Sequence, residues 1–142
     1  LFPYTTLFRS SAVLPLPEHP LRRILNNLLD NAVRYSPHKG TVTLDAAIRD
    51  YGNAPEKEST LFLTVSDEGP GFCEDALLYG TEAFYRESAD RNDKSHFGLG
   101  LSIADQLARG LGGSIALCNA PAGGAVVIVK LPLTGQLQRD TE

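Results

Sequence analysis

The run from Leu21 to Tyr35, LRRILNNLLDNAVRY, constrains this chain more than any other stretch. Its apolar residues fall at Leu21, Ile24, Leu25, Leu28, Leu29, Ala32 and Val33, the three-and-four spacing of a helix with one buried face. At about 100° per residue, Asn27, Asn31, Arg34 and Tyr35 project together along the edge of that face. A solvated helix edge more usually carries Lys and Glu. Two readings stand side by side: the amides cap or hydrogen-bond a neighbouring loop, or they serve a ligand.

The remaining composition narrows the class. A chain of 142 residues has room for one domain with a real core. A net charge of −4 gives no footprint for nucleic acid and no basic face for a lipid surface. Cys73 and Cys118 stand apart without CxxC or Cys/His spacing, and read as free thiols in a reducing compartment. No apolar run approaches the roughly 20 residues that cross a bilayer, and Leu1–Ser10 lacks the pattern of a signal peptide. The expectation is a soluble, cytosolic piece.

Residues 1–10, LFPYTTLFRS, have no periodicity and read as an expression or sequence-assembly remnant, or the frayed end of a longer protein. Pro15, Pro17 and Pro20 predict an extended lead-in to the helix, which Ser36-Pro37 end, with Gly40 reversing the chain. Thr41–Ile48 alternates, with Val42, Leu44 and Ala46 on one side, and predicts a strand; Arg49–Thr60 predicts a hairpin loop. Leu61–Ser66 predicts a central strand, and Asp67-Glu68-Gly69-Pro70-Gly71-Phe72 a tight turn at its end. Cys73–Tyr79 predicts a short helix, and Thr81–Phe97 a mobile loop. Gly98-Leu99-Gly100-Leu101 open a second amphipathic helix that Gly112-Gly113 stop. Ser114–Asn119 and Gly124–Leu131 close the chain as two strands.

Several of these stretches bear chemistry. Gly98 and Gly100 at a helix mouth either simply open the helix, as glycines commonly do, or form an anion cradle in which bare backbone N–H groups and the helix dipole face the same way. The pattern is neither a Walker A loop nor a dinucleotide fingerprint, since no GxxxxGK[ST] occurs and Ile103 stands where a third glycine would. Asp67 either accepts from an exocyclic amino group or stabilises its own Gly-Pro-Gly bend. Asn31 offers a neutral oxygen to a hard cation such as Mg²⁺, and Arg34 a guanidinium to phosphate. His19, His38 and His96 form no metal or triad spacing.

Four ordered boxes, NNLLDNAVRYS (Asn26–Ser36), DEGPGF (Asp67–Phe72), FYR (Phe84–Arg86) and GLGLSIA (Gly98–Ala104), resemble the ATP-binding catalytic domain of sensor histidine kinases. That domain is part of the wider group of gyrase, mismatch-repair and heat-shock chaperone ATPases. The resemblance covers roughly Leu16 to Leu133. It implies an α/β two-layer sandwich, with a mixed, mostly antiparallel sheet and helices on one face (the Bergerat-type ATP-binding fold). It implies a catalytic domain over residues 11–135, followed by a polar tail at 136–142. ATP and Mg²⁺ are the implied cofactors. By the same match Asn31 resembles the Mg²⁺ ligand, with Asn27 supporting it, Arg34 facing phosphate and Tyr35 the nucleotide. Asp67 resembles the adenine reader, with Gly69 and Gly71 lining the base pocket. Phe84 and Arg86 fall in the lid, and Gly98, Leu99, Gly100 and Leu101 in its phosphate-side hinge.

The implied partners are a dimerisation domain bearing the phosphoacceptor histidine, a downstream response regulator, and no nucleic acid. The implied setting is a cytoplasmic domain without membrane contact of its own, in a parent anchored in the bacterial inner membrane. Ser95 and His96 replace two glycines that many relatives carry before GLGL, which predicts a stiffer lid, and Ala125 replaces a frequent hydroxyl residue. No His-Glu/Asp-x-x-x-x-Pro pattern occurs, so the acceptor histidine is expected on a separate chain segment. Two alternatives stay open: an anti-sigma-factor-type serine kinase, and a nucleotide-gated binding module without phosphotransfer.

Overall fold

A computed structural model describes residues 14–53, 58–83, 85 and 99–133. The order is α1 (Glu18–Tyr35), β1 (Thr43–Tyr51), β2 (Glu58–Ser66), α2 (Glu74–Tyr79), α3 (Gly100–Gly110), β3 (Ser114–Asn119) and β4 (Ala125–Leu133). The strands make a four-stranded sheet in the order β1-β2-β4-β3, and every described pair is antiparallel. Helices α1 and α3 pack on each other and on one face of the sheet, giving the two-layer α/β sandwich. A parallel pair, which a mixed sheet would contain, is absent among the described residues.

The alternation of β2 and β4 builds the floor of the core. Leu61, Leu63 and Val65 lie opposite Leu131, Val129 and Val127, and all six are buried. Directly opposed residues of an antiparallel pair share a face, so these side chains form one apolar surface. Strand β3 extends it with Ile115 and Leu117 beside Val129 and Val127. Ile24, Leu28 and Ala32 of α1 and Leu101, Ala104 and Ala108 of α3 close the layer above. Ala104 and Ala108, both fully buried, are small enough to let the helices approach closely.

Helix α1 begins three residues earlier than its apolar pattern suggests, at Glu18 after Pro17. Pro20 therefore sits inside the first turn, where a missing N–H breaks no intrahelical bond and the fixed φ already suits the helix. His19 lies in that same turn and is exposed. Val33 departs from the expected buried face: it is 59% exposed, because the true contact stripe is the narrower Ile24–Leu28–Ala32 line. The helix ends as expected at Ser36, extended before Pro37. The left-handed residue of the reversal is Lys39, at φ 64°, and not Gly40.

Strand β1 starts later and runs further than its alternation indicates, and the β1–β2 ladder continues through Arg49–Thr60 to Tyr51–Glu58. Leu44 and Ala46 lie opposite Val65 and Leu63 and so face the helical side, as expected. Even so, Leu44 is 45% and Ile48 42% exposed, because β1 is the sheet edge and α1 packs on β2. Helix α3 stops as its glycines require. The Gly113 N–H donates to the Ala108 carbonyl and the Gly112 N–H to that of Arg109, with Gly112 at φ 79°, a Schellman cap.

If the narrow stripe carries the helix, Leu28→Ala will lower unfolding free energy by about 2–5 kcal/mol, while Val33→Ala will stay within about 0.5 kcal/mol of the parent. Urea denaturation followed by far-UV circular dichroism measures both, and equal losses would contradict the phasing of α1.

Candidate nucleotide site

The turn after β2 is held by its own aspartate. Asp67 is 8% exposed, and its Oδ1 accepts from the Gly69 N–H at 2.8 Å and from the Ala125 N–H at 3.2 Å. The Asp67 N–H in turn donates to the Ala125 carbonyl at 3.0 Å. One carboxylate oxygen thus stabilises the bend and ties it to the start of β4. Both hydrogen bonds fall on that one atom, leaving Oδ2 for another donor. The two sequence readings of Asp67 are therefore compatible, one for each oxygen.

The glycines around it answer to the fold itself. A Cβ on Gly69 would stand 2.4 Å from the Tyr35 carbonyl oxygen, so this glycine lets the turn close against the end of α1. Gly71 has φ 82°, and a Cβ there would meet Asn119 Oδ1 at 2.8 Å. Gly124, at φ 95°, leaves space for the Asp67 carbonyl oxygen, which a Cβ would meet at 2.0 Å. The Gly123-Gly124 turn thus brings the β3–β4 hairpin onto the Asp67 turn.

Along α1 the predicted edge is intact. Asn27, Asn31, Arg34 and Tyr35 are all half-buried beside the Ile24–Leu28–Ala32 stripe, while Asn26 is exposed on the far side. The Asn27 Nδ2 donates to the Arg23 carbonyl of its own helix at 2.9 Å. Its Oδ1 faces Gly100 at the start of α3, 3.7 Å from where a Cβ would sit. Asn31 makes no hydrogen bond to another described residue. The Arg34 guanidinium lies over the Tyr35 ring, 5.8 Å from its centroid. One edge of α1 therefore meets α3 at Asn27 and the Asp67 turn at Tyr35. These contacts are eight residues and about 12 Å apart along the axis.

At the Asn27 end, α3 begins with Leu99 as its cap residue and no side chain capping its first N–H groups. The Leu99 carbonyl accepts from Ser102 Oγ at 3.0 Å and from the Ile103 N–H at 2.9 Å. Leu101 is buried in the core, so of the predicted hinge residues it serves packing, while Gly100 faces the α1 edge. Phe84, Arg86 and Gly98, with Ser95 and His96 and the predicted segments at 1–10 and 136–142, lie outside the described residues. Among the described residues no His, Cys, Asp and Glu side chains cluster to hold a metal, Cys73 and Cys118 are exposed free thiols, and no helix is long and apolar enough to cross a membrane.

Two residues escaped the sequence reading. Asn119 uses both halves of its amide on one residue of the turn: Oδ1 accepts from the Phe72 N–H at 2.7 Å and Nδ2 donates to the Phe72 carbonyl at 2.8 Å. Glu68 accepts from the Thr41 N–H at 3.0 Å and so joins the turn to the segment leaving α1. Neither sits in a spacing pattern, because both pairings are long-range.

The comparisons with known proteins agree with this geometry. The family described as "Histidine kinase-, DNA gyrase B-, and HSP90-like ATPase" matches residues 17–135, and the chain belongs to it. The match is to the ATP-binding catalytic domain of sensor histidine kinases. The sensor histidine kinase SpaK of Bacillus subtilis is 40% identical over 117 residues, covering 82% of this chain. The signal transduction histidine-protein kinase BaeS of Escherichia coli is 36% identical over 121 residues, covering 84%. The chain spans 24% of the length of each. Among solved structures, the mycobacterial sensor histidine kinase MprB aligns with a TM-score of 0.65 at 29% identity, covering 82% of this chain and 74% of that one. Full-length ShkA in complex with AMPPNP aligns at 0.61 and 30%, covering 83% and 23%.

Gly124→Ala strains a left-handed backbone and pushes the β3–β4 turn off Asp67. Its expected cost is at least about 1–3 kcal/mol. Thermal unfolding of this variant beside Gly123→Ala, where a Cβ meets nothing within 4 Å, isolates the contact from the φ strain the two positions share.

Proposed function

We propose that residues 11–135 form the ATP·Mg²⁺-binding catalytic domain of a two-component sensor kinase, which transfers the γ-phosphate to a histidine on a separate dimerisation domain. The supporting observation is the α1 edge, which runs from the uncapped start of α3 at Asn27 to the Asp67 turn at Tyr35. The nucleotide lies along that edge, with its base at Asp67 and its phosphates toward Gly100. Asp67 Oδ2 accepts from the adenine amino group while Oδ1 keeps the turn. Tyr35 flanks the nucleoside and Arg34 neutralises phosphate charge. Leu99 and Gly100 present backbone N–H groups to the phosphates. Phe84, Arg86 and Gly98 belong to the lid and its hinge.

Gly100 supports the phosphate end in a particular way. Its φ is not left-handed, unlike those of Gly71 and Gly124, and nothing crowds a Cβ there as it would at Gly69, the nearest atoms being Asn27 Oδ1 at 3.7 Å and Asn27 O at 3.9 Å. The described fold does not demand a glycine at this position; a ligand approaching the backbone does. The donor set fits Mg²⁺ as well, since Asn31 carries an uncommitted amide oxygen and Asn27 Oδ1 lies on the same edge. When bound, the ion neutralises charge on the phosphate oxygens of ATP.

The chain's own contribution to transfer is positioning. It holds the γ-phosphorus open to in-line attack by an imidazole nitrogen; the new N–P bond forms as the bond to the bridging oxygen breaks, and ADP leaves. Within the parent the phosphoryl group then passes to a response regulator, and the parent is membrane-anchored with this domain on the cytoplasmic side.

Asn31→Ala, which deletes an oxygen, and Asn31→Asp, which adds a charge beside the phosphates, will both shift the Mg²⁺ dependence of ATP binding. Asn26→Ala, on the exposed side, will leave it unchanged. Calorimetric Mg²⁺ titrations that fail to separate positions 26 and 31 would remove the metal role of Asn31.

Phosphotransfer itself is tested with γ-labelled ATP. The isolated chain will bind ATP·Mg²⁺ without labelling itself, and an added cognate dimerisation domain will acquire acid-labile, base-stable label. His19, exposed in the first turn of α1, will be replaceable by alanine without effect. Self-labelling abolished in His19→Ala would overturn the reading, and binding without transfer to the acceptor domain would favour the nucleotide-gated module.

A further inference from the structure

We infer that Asn119, at the end of β3, is a positioning residue for base selection. It acts through the Phe72 backbone to fix the turn that carries Asp67. The inference deepens the proposed function and rests on its assignment of Asp67 to the base. Among the described residues the side-chain hydrogen bonds of Asn119 run to Phe72 and not to the α1 edge, and Asn119 has no place in the four sequence boxes. Its two hydrogen bonds to Phe72 give the far end of the turn the pairing that a neighbouring strand would otherwise provide. Its Oδ1 also fills the space beside Gly71, 2.8 Å from where a Cβ would stand.

The two ends of the turn are held by different means. At the near end, Asp67 and Gly69 are fixed by Oδ1, by β4 and by the Tyr35 carbonyl. At the far end, the Phe72 side chain packs against the core, and its backbone N–H and carbonyl are both held by the Asn119 amide. A carboxylate discriminates an amino group from a carbonyl only while its free oxygen keeps a fixed direction. Phosphate binding, by contrast, depends on α3 and on the Asn27–Arg34 side of α1, to which the Asn119 side chain makes no hydrogen bond among the described residues. Loosening the turn therefore erodes the choice of base more than it erodes affinity for the phosphates.

The decisive measurement is the ratio of ATP to GTP affinity, by calorimetry in the presence of Mg²⁺. Asn119→Ala removes both hydrogen bonds; the ATP-over-GTP preference will fall by about tenfold, within the range two such bonds set. GTP affinity will change by less than about twofold. Asn119→Asp keeps the acceptor for the Phe72 N–H and loses the donor, so its preference will lie between those of Asn119→Ala and the parent. Asn119→Asp also guards against a fold defect, since it preserves the shape of the side chain. A parent-like preference in Asn119→Ala, or equal losses for ATP and GTP, would overturn the positioning role while leaving Asp67 as base reader. A parent chain that binds ATP and GTP equally would overturn the Asp67 assignment and this inference with it.

Discussion

Ile24, Leu28 and Ala32 are packed dry against the sheet, and that stripe fixes the rotation of α1 about its own axis. Burying side chains of the Ile and Leu kind contributes about 1.5–3 kcal/mol each. Turning the helix by one residue, about 100°, would bury Arg23, Asn27 and Asn31 in one sense, and in the other would bury Leu25, Leu29 and Val33 and swing the asparagines away from their edge. The core therefore decides where the asparagines point. The same rotation that hides Leu28 brings Asn27 against α3 and leaves Asn31 on an accessible edge. Stability and site geometry here are two results of a single packing choice.

At the other end of that edge, polar contacts take over from apolar ones. Asp67 is nearly buried, and an ionised carboxylate in that position is tolerable only when hydrogen-bonded. The Gly69 and Ala125 N–H groups meet this need at Oδ1. Close approach matters equally, since Gly69 and Gly124 admit the Tyr35 and Asp67 carbonyl oxygens, respectively, where any side chain would collide. The turn is rigid because its backbone touches two different elements without side chains between them.

Much of this was legible in the sequence, and the losses have definite causes. Helical spacing identified α1 and its polar edge because both follow from one period. It also counted Val33 as buried, since periodicity names a face but not how wide the opposing surface is. Alternation placed Leu44 and Ala46 on the correct side of β1, yet could not show that the strand lies at an edge with little above it. Pro20 suggested an extended lead-in because a proline reads as a breaker unless its position within the first turn is known. The DEGPGF turn was visible from its glycines. Asn119 was not, because a lone asparagine at a strand end has no local signature and its partner is 47 positions away.

That separation has a consequence for the order in which the molecule is assembled. Asp67 reaches Ala125 across 58 positions, and Phe72 is clasped by a side chain almost as remote. A growing chain that has emerged through α3 already holds every residue of the α1 edge and of the turn. It still lacks β4 as the central strand of the core, and it lacks the amide that clasps Phe72. Closing contacts over such spans is entropically the late step of folding. The base end of the groove is thus set only when the last hairpin docks, and until then a nascent chain carries the motif without its shape.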